Sequence, residues 1–461
     1  LFRSIVATLG PASASSEVLA SMIEAGADVI RLNLSHATPE SHVANIALIR
    51  EVERTIGRPI AIMADLPGPK IRLHACSDTE ILEGAVVDVQ EGDLPSTDAD
   101  VRLAIGATGV VAAIEPGHRV LLDDGQTRLL AVGRREIDGR TVVRCNATCG
   151  GSLRPRVGIN LPDSDPALAA VTDHDLELAI ATARAGVDLI AVSFVHDGDD
   201  LRGLRATLLE AVGPAALPGL VSKIERPSAV RNLEDIVEAS DAVLVARGDL
   251  GVELDIAEVP VVQKRVVGAA VRAGRPVIVA TQMLQSMIES PGPTRAEATD
   301  AANAVLDGAD ALMLSGETAI GRHPVLAVEV LRRIARTTEA WHDDRPHDHG
   351  AGIESAEDDD PWLPAIARGA QRIAAELPAS IVVAWSQTGT TALVLSRGDL
   401  RIPLVVLTDD PRAARRMRLL RGVVPVTVDP SAGLGSDRDA FLATAQRVAL
   451  ERSIGSIDSI G

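Results

Sequence analysis

Aromatic residues and cysteine are scarce in this chain of 461 residues. It contains no Tyr, three Phe and three Trp, so aromatic side chains make up only 1% of it. Its cores must therefore be built from Ala, Val, Leu, Ile and Met. Three cysteines, an odd and small number, do not support a disulfide framework.

Positive charge is also in short supply, and this limits the partners of the chain. The formal net charge is −19 at pH 7. Such a surface repels phosphate backbones, so nucleic acid is not an expected partner. The sequence shows no signal peptide and no apolar run long enough to span a membrane. We therefore expect a cytoplasmic protein without a membrane partner.

Lysine is almost absent as well. Among the 45 Lys and Arg residues, only Lys70, Lys223 and Lys264 are lysines. In a chain that uses Arg almost everywhere, a lysine indicates a place where a compact ammonium matters. Lys264 lies in the helical stretch VPVVQKRVV, and we attach no function to it. Lys70 and Lys223 are the functional candidates.

Eight short apolar runs alternate with segments of helical periodicity. The runs are SIVATLG, DVIRLNLS, PIAIMADL, DLIAVSF, GLVSKIE, AVLVARG, PVIVAT and ALMLSGE. The helical segments carry start signals, such as Ser15 or Ser16 before EVLASMIEAGA and Pro227 before SAVRNLEDIVEA. Eight such units predict an α/β fold with a (β/α)8 TIM barrel.

The rest of the sequence predicts three further parts. Residues 70–156, between the third and fourth runs, have short strands with Gly and Asp turns, which predicts an inserted all-β lid domain. Residues 341–361 are acidic and poor in apolar residues, as is typical of a linker. Residues 362–461 alternate apolar runs with helical patterns, which indicates a C-terminal α/β regulatory domain. The catalytic barrel then comprises residues 1–69 and 157–340.

Polar residues follow the apolar runs where barrel strands should end. Lys223 and Glu225 end the fifth run, and Asp249 follows the sixth. Two carboxylates with room for water and substrate oxygens suit Mg²⁺, and a metal beside cations suits phosphoryl transfer. Any single polar residue at a strand end is also explained as a structural group whose hydrogen bonds are satisfied within the fold. That explanation does not account for so many of them at the rim where barrel enzymes have their active sites. The other strand-end polar residues are Arg31, Asn33, Ser35, His36, Asp65, Ser193 and Thr281.

Seven segments of the sequence occur in a characteristic order. They are SIVATLGPAS, VIRLNLSH, DLPGPKIR, VSKIERP, VARGDLGVEL, ATQMLQSM and PTRAEATDAANAVLDGADALMLSGETA. In this order they resemble the pyruvate kinase family, almost continuously over the barrel and more loosely over the lid and the C-terminal domain. The resemblance implies phosphoryl transfer from phosphoenolpyruvate to ADP, dependent on Mg²⁺ or Mn²⁺. The products would be pyruvate and ATP, in the last step of glycolysis.

The resemblance also implies roles for individual residues. Lys223 resembles the lysine that stabilises the phosphoryl group in transfer and the enolate, and Arg31 matches the arginine on the substrate phosphate. Gly248, Asp249 and Thr281 match positions around the substrate carboxylate and the reacting carbon. Thr281 matches a residue near the proton delivery step.

Metal and nucleotide positions follow from the resemblance in the same way. Glu225 and Asp249 resemble the Mg²⁺ ligands of the family. The nucleotide-side positions are Asn33, His36 and Arg72, and the monovalent-cation positions are Asn33, Ser35 and Asp65.

Two departures from the family pattern lie near the lid. Many members have a lysine immediately before a GVNLP segment, where this chain has Val157, and the sequence leaves open whether Arg154 or Arg156 replaces it. Where many members read DTKGPEIRT, this chain reads DLPGPKIRL, which reverses the charge at Lys70. A tethered ammonium can supply the unit charge of a bound cation, so we expect activity without K⁺. The alternative is that Lys70 only pairs with a lid carboxylate.

The C-terminal segment SQTGTTA resembles the loop that holds the phosphate of a sugar-phosphate effector. Small residues and hydroxyls at a helix N-terminus present free N–H groups to a phosphate. A well-capped helix without a ligand is the alternative. Because family members are usually tetrameric, the resemblance also implies a homotetramer. The expected effector residues are Ser386, Thr388, Gly389, Thr390 and Thr391.

Two other functions fit parts of the sequence. An aldolase or lyase on the related phosphoenolpyruvate/pyruvate barrel needs a metal and an enolate site but no nucleotide lid. The lid insertion, with Arg72 and His36, argues against it. A non-catalytic regulatory relative would have a damaged catalytic set, whereas the catalytic residues are all present: Lys223, Glu225, Asp249 and Thr281.

Overall fold

A computed structural model describes most of the chain. The described residues are 3–154, 156–164, 166, 168–343, 362–377, 379–398, 400, 402–430 and 437–457. The first three barrel units contain β1 (Ser4–Leu9), α1 (Ser16–Ala25), β2 (Ala27–Asn33), α2 (Pro39–Ile56) and β3 (Ala61–Asp65).

The lid follows β3 and consists almost entirely of strands. These are β4 (Leu73–Cys76), β5 (Glu80–Ile81), β6 (Val86–Glu91), β7 (Val101–Ile105), β8 (Arg119–Leu122), β9 (Thr127–Ile137), β10 (Arg140–Cys149), β11 (Gly151–Ser152) and β12 (Ile159–Asn160).

The chain then completes the barrel. The elements are α3 (Asp173–Ala185), β13 (Leu189–Val192), α4 (Gly198–Val212), β14 (Gly219–Ile224), α5 (Pro227–Arg231), α6 (Leu233–Ala239), β15 (Ala242–Ala246), α7 (Arg247–Glu253), α8 (Val259–Arg272), β16 (Val277–Ala280), α9 (Arg295–Leu306), β17 (Ala311–Leu314), α10 (Gly316–Ala319) and α11 (Pro324–Asp343).

The C-terminal domain alternates helices and strands. Its elements are α12 (Trp362–Glu376), β18 (Val382–Trp385), α13 (Thr390–Ser396), β19 (Leu404–Thr408), α14 (Pro411–Arg416), β20 (Val423–Thr427) and α15 (Arg438–Ile457). Short 3₁₀ turns add Val111–Ala113, Pro214–Ala216, Gln285–Ile288 and Met417–Leu419.

Eight parallel strands close the barrel, which confirms the expected fold class. Their order is β1-β17-β16-β15-β14-β13-β3-β2. Every residue of β3, β13, β15, β16 and β17 is buried. One side of each strand packs inside the barrel and the other against the helices, so the strands are continuous apolar runs. The carboxyl ends of all eight strands therefore meet at one rim.

The helix start signals act as the sequence indicates, with one difference. Ser15 caps α1, its hydroxyl accepting a hydrogen bond from the Val18 N–H at 3.3 Å. Pro227 opens α5, but the helix expected after it is divided into α5 and α6. The break is at Asn232, which leaves helical geometry and donates its side-chain amide to the carbonyl of His196 at 2.9 Å.

The lid is built on a seven-stranded sheet with the order β12-β8-β9-β10-β6-β7-β4. Its pairs are antiparallel except for β6 and β7. The sheet extends beyond residue 156, where we expected the lid to end. Ile159 of β12 pairs with Leu122 of β8, and the Leu73 N–H donates to the Val157 carbonyl at 2.9 Å. The lid sheet therefore includes the chain as far as Asn160.

The connection to the C-terminal domain is described only at its start. Helix α11 runs through Asp343, so it covers the first three residues of the stretch interpreted as a linker. Residues 344–361 of that stretch lie outside the described residues. The C-terminal domain has a parallel sheet with the order β18-β19-β20. In the part of the chain that the structure describes, no helix is both long and apolar enough to cross a membrane.

Arginines attach the C-terminal domain to the amino-terminal end of the barrel. Arg397, which follows α13, donates two hydrogen bonds of 2.8 Å to Asp310, the residue before β17. This pair is fully buried, with side chains 2% and 0% exposed. Arg415 bonds Asp188, the residue before β13, at 2.8 Å. Carboxylates at strand starts therefore fix the domain in place.

We expect Arg397→Ala to lower stability strongly. It leaves the Asp310 carboxylate buried without its cation, a change that costs about 3–5 kcal/mol. The matched control is Arg372→Ala, which removes an exposed ion pair with Glu376 and should cost less than about 1 kcal/mol. Urea unfolding followed by circular dichroism measures both, and equal midpoints in the two variants would contradict the role of the buried pair.

Candidate active site

A buried cluster of charges lies at the carboxyl-terminal rim of the barrel. The Lys223 ammonium lies 2.7 Å from Glu225 Oε1 and 3.3 Å from Asp65 Oδ1, and it donates to the Ser193 hydroxyl at 2.7 Å. Arg31 contacts the other Asp65 oxygen, at 2.6 Å from Nη2 and 2.7 Å from Nε. The structure thus brings together side chains from β2, β3, β13, β14 and the residues just beyond them.

Burial and charge shift the pKa values of this cluster. Burial by itself raises the pKa of Asp65, but the positive charges of Lys223 and Arg31 outweigh it and lower that pKa overall. Burial opposes the charge of Lys223, yet Asp65, Glu225 and Asp249 raise its pKa. Burial raises the pKa of Glu225 to about 7, with Lys223 opposing the shift and Asp249 adding to it. The cluster therefore keeps its ammonium charged and holds one carboxyl poised to titrate.

Glu225 and Asp249 fit a divalent cation. Glu225 is buried, and its Oε2 accepts the Phe194 N–H at 2.7 Å, which orients the carboxylate. Asp249 lies on α7, and its side chain has no hydrogen bond or ion pair within the described ranges. Repulsion between two such carboxylates is relieved when a cation lies between them. Among the described residues, no group of three or more His, Cys, Asp or Glu is arranged to hold a metal. Of the common metals, Mg²⁺ is the one usually bound through one or two carboxylates, with water and substrate as its other ligands.

Thr281 lies at the end of β16 in an unusual backbone conformation. Its φ is 67° and that of Gln282 is 56°, in the left-handed region that β-branched residues avoid. Its hydroxyl accepts the Gly248 N–H at 2.7 Å and donates to the Ala280 carbonyl at 2.6 Å. The structure therefore places Thr281 against the start of α7, the helix that carries Asp249.

The expected monovalent-cation positions lie beside the charge cluster. The Asn33 side chain accepts the Ser35 N–H at 3.2 Å, and the Leu34 N–H donates to the Asp65 carbonyl at 3.0 Å. Lys70 is exposed and forms no ion pair with any residue that the structure describes. The alternative that it pairs with a lid carboxylate therefore has no support here.

Two of the nucleotide-side positions lie at the protein surface. His36 and Arg72 are exposed. Arg72 donates to the Arg156 carbonyl at 3.1 Å and forms a backbone bridge with Gly158. Neither His36 nor Arg72 contacts the buried charge cluster through a hydrogen bond or ion pair among the described residues.

A cavity of about 420 Å³ lies between the lid and the barrel. Arg154 and Arg156 both line it. Arg154 is paired with Asp123 at 2.9 Å, whereas the Arg156 side chain has no ion pair in the described part of the chain. Five cations and four carboxylates line the cavity, so it offers cations to a polyanion although its net charge is close to zero. The other charged residues that line it are Lys70, Arg72, Asp124, Arg226, Asp249 and Glu253.

Sequence reasoning missed Glu253, whose carboxyl faces this cavity. The side chain is 5% exposed, and its Oε1 accepts the side-chain amide of Asn160 in the lid at 2.8 Å. Its Oε2 has no hydrogen-bond partner among the described residues, and burial raises the pKa of this carboxyl. The sequence spacing could have indicated it, because Glu253 follows Asp249 by four residues and residues four apart share one face of a helix.

The expected effector loop forms a tight turn before α13. The Ser386 hydroxyl accepts the Gly389 N–H at 3.0 Å, and the Thr388 and Thr390 hydroxyls lie 3.0 Å apart. Gly389 has a φ of 98°, which glycine tolerates. The turn therefore brings the hydroxyls of Thr388 and Thr390 together, and Thr391 follows in the first turn of α13.

Comparisons with known proteins agree with this architecture. The family model described as "Pyruvate kinase, barrel domain" matches residues 2–328, and "Pyruvate kinase, alpha/beta domain" matches residues 364–459. The pyruvate kinase of Methylorubrum extorquens is 39% identical over 454 residues, which cover 98% of this chain and 91% of that protein. A pyruvate kinase of Agrobacterium vitis is 40% identical, covering 92% and 85%. That of Corynebacterium glutamicum is 38% identical, covering 97% and 90%. With the barrel model matching well over half of it and these relatives nearly all of it, the chain belongs to the pyruvate kinase family.

Proposed function

We propose that this chain transfers a phosphoryl group from phosphoenolpyruvate to ADP and protonates the resulting enolate to pyruvate. The observation that carries the proposal is the buried Lys223 ammonium, held between Asp65 and Glu225 at the catalytic rim of the barrel. A preorganised cation in a site with little water stabilises the charge that develops on a phosphoryl group in transfer. Family membership supports the same reaction.

The chain's own residues supply binding and orientation in this reaction. As a nucleotide phosphate oxygen attacks phosphorus and the bond to the enol oxygen breaks, Lys223 and Arg31 bind oxygens of the group in transfer. Gly248 donates its N–H to the Thr281 hydroxyl, and Asp249 is the next residue of α7. The resemblance supports a role for Thr281 near the proton delivery that completes pyruvate. A divalent cation on Glu225 and Asp249 adds Lewis-acid charge to the phosphoryl and enolate oxygens when bound.

The nucleotide side of the site is assigned to the cavity beneath the lid. Its cations suit the diphosphate of ADP, and Arg72 is one of the residues that line it. The resemblance to the family also indicates His36 and Asn33 as nucleotide contacts, although they do not line the cavity. The lid and this cavity have no use in an aldolase or lyase on the same barrel. They therefore favour the kinase over that alternative, while the complete charge cluster favours an active enzyme over a non-catalytic relative.

Three further assignments remain predictions from the resemblance. A phosphorylated effector is assigned to Ser386, Thr388, Gly389, Thr390 and Thr391, and kinetics with added sugar phosphates or nucleoside monophosphates test it. A homotetramer is tested by sedimentation velocity. A cytoplasmic location is tested by fractionation of the source cells.

The reaction itself is tested with Lys223→Met. The unmodified protein should form pyruvate from phosphoenolpyruvate and Mg²⁺ only when ADP is present. Because the ammonium acts mainly in the transition state, Lys223→Met should lower kcat by roughly 10²–10³-fold with little change in KM. Lys264→Met is the control, because Lys264 is an exposed lysine on α8 that pairs with Asp307. Near-normal kcat in folded Lys223→Met removes Lys223 from the mechanism, and pyruvate formation without ADP contradicts the kinase.

The metal assignment predicts a particular pH dependence. Since a protonated Glu225 does not bind a cation and its pKa is raised to about 7, Mg²⁺ affinity should fall as the pH drops below that value. The fall should approach tenfold for each pH unit, by the proton-competition relation. Glu225→Gln should raise the metal concentration needed and abolish this slope. Titrations with Mg²⁺ and Mn²⁺ from pH 5.5 to 8 measure both effects, and Glu289→Gln, at an exposed ion pair with Arg322, is the control. An unchanged metal requirement in Glu225→Gln points to other ligands.

We also propose that the enzyme works without K⁺ because Lys70 supplies a permanent positive charge near Asn33, Ser35 and Asp65. Assays in buffers free of K⁺, Na⁺ and NH₄⁺ should show full activity of the unmodified protein. Lys70→Glu should create a dependence on K⁺, whereas Lys70→Arg, which keeps the charge, should not. Strong activation of the unmodified protein by K⁺ contradicts the proposal.

A further inference from the structure

The segment that carries Thr281 is strained and needs external support. Thr281 and Gln282 are two consecutive non-glycine residues with positive φ, 67° and 56°. Such conformations persist only where surrounding groups hold them, and they cluster at functional sites. Because Thr281 directly follows β16, relaxation of this turn would move its hydroxyl away from the rim.

Arg247 supplies that support from the start of α7. Its Nη2 donates to the Thr281 carbonyl at 2.7 Å and its Nε donates to the Ala280 carbonyl at 3.2 Å. The guanidinium therefore binds two consecutive carbonyls of the strained segment at once. A planar fork donates to these carbonyls from two nitrogens held at a fixed spacing, a geometry that the single nitrogen of a lysine ammonium does not reproduce.

Other residues fix the guanidinium from its opposite side. Arg247 Nη1 donates to Asp300 Oδ2 at 2.6 Å and to Gln263 Oε1 at 3.4 Å. Gln263 is itself held by Asp307, which accepts its amide at 2.8 Å. The Arg247 side chain is only 9% exposed, so these contacts hold it in one orientation.

The same contacts determine where the Thr281 hydroxyl points. That hydroxyl donates to the Ala280 carbonyl, the acceptor that Arg247 also uses, and it accepts the Gly248 N–H. Arg247 and Gly248 are neighbours at the start of α7. Two consecutive residues at the start of this helix thus hold Thr281. Arg247 binds its backbone carbonyl, and Gly248 binds its side-chain hydroxyl.

We propose that Arg247 is a positioning residue that holds the Thr281 hydroxyl in place during protonation of the enolate, in which the hydroxyl passes its proton to the enolate carbon as it takes one from water. Arg247 acts through Thr281 and does not bind substrate. The inference rests on the proposed function, because it assigns Arg247 to the protonation step of that reaction. It predicts that loss of the guanidinium fork impairs protonation more than it impairs substrate or metal binding.

A double-mutant cycle with Arg247→Lys and Thr281→Ala tests the proposal. The readouts are kcat, the KM values for phosphoenolpyruvate and ADP, and deuterium uptake from D₂O into the methyl group of pyruvate in the presence of Mg²⁺ and ATP. Because even a small displacement of a reacting group strongly lowers the rate of the chemical step, Arg247→Lys should slow deuterium uptake roughly 10- to 100-fold. The KM values should change less than about twofold. In the Thr281→Ala background, Arg247→Lys should have almost no further effect.

Equal effects of Arg247→Lys in both backgrounds overturn the proposal, as does a rise in KM with unchanged deuterium uptake. If Arg247→Lys does not fold, Asp300→Asn replaces it in the cycle, because this substitution weakens the contact that orients the guanidinium but leaves Arg247 in place. Asp300→Asn should slow deuterium uptake less than Arg247→Lys, again with little change in the KM values. If its effect adds fully to that of Thr281→Ala, the proposal is overturned. A crystal structure of either variant should show Thr281 outside the left-handed region, and an unchanged φ contradicts the proposal. Failure of the unmodified protein to form pyruvate rejects the proposed function instead.

Discussion

The structure of the active site depends on the charge balance around one buried ammonium. Lys223 is held between Asp65 and Glu225, and Arg31 binds the other oxygen of Asp65. Each member is buried enough that losing its partner would leave an uncompensated charge away from water. The surrounding strands exclude solvent, so the same charges act strongly on any group that enters. The Glu225 carboxyl, with its raised pKa, is the part of this balance that responds to a bound cation or proton.

The chain divides its cations by geometry. Where two acceptor atoms are bound side by side from different nitrogens of one side chain, it uses arginine: Arg397 on Asp310 between domains, and Arg247 on the carbonyls at Thr281. Where a compact charge is needed close to the reacting groups, it uses lysine at position 223. This division follows from the planar fork of a guanidinium and the point charge of an ammonium.

Much of the barrel could be predicted because its strands are buried on both sides. Continuous apolar runs with a polar residue at the end are what such strands require, and all eight were recognised from this pattern. The exceptions were decided by partners distant in sequence. The break at Asn232 depends on the carbonyl of His196, and the extension of the lid sheet depends on the pairing of Ile159 with Leu122. Local patterns carry no information about such partners.

The sequence by itself determined which residues reach the rim, because strand periodicity and the end of each apolar run place Lys223, Glu225 and Thr281 there. Only the tertiary structure decided which of them meet. Barrel closure brings Asp65 to Lys223, and the packing of α7 against β16 places Arg247 beneath Thr281. These contacts join strands and helices that are far apart in the chain. Their geometry is therefore set by how the strands close and the helices pack, which residue spacing does not encode.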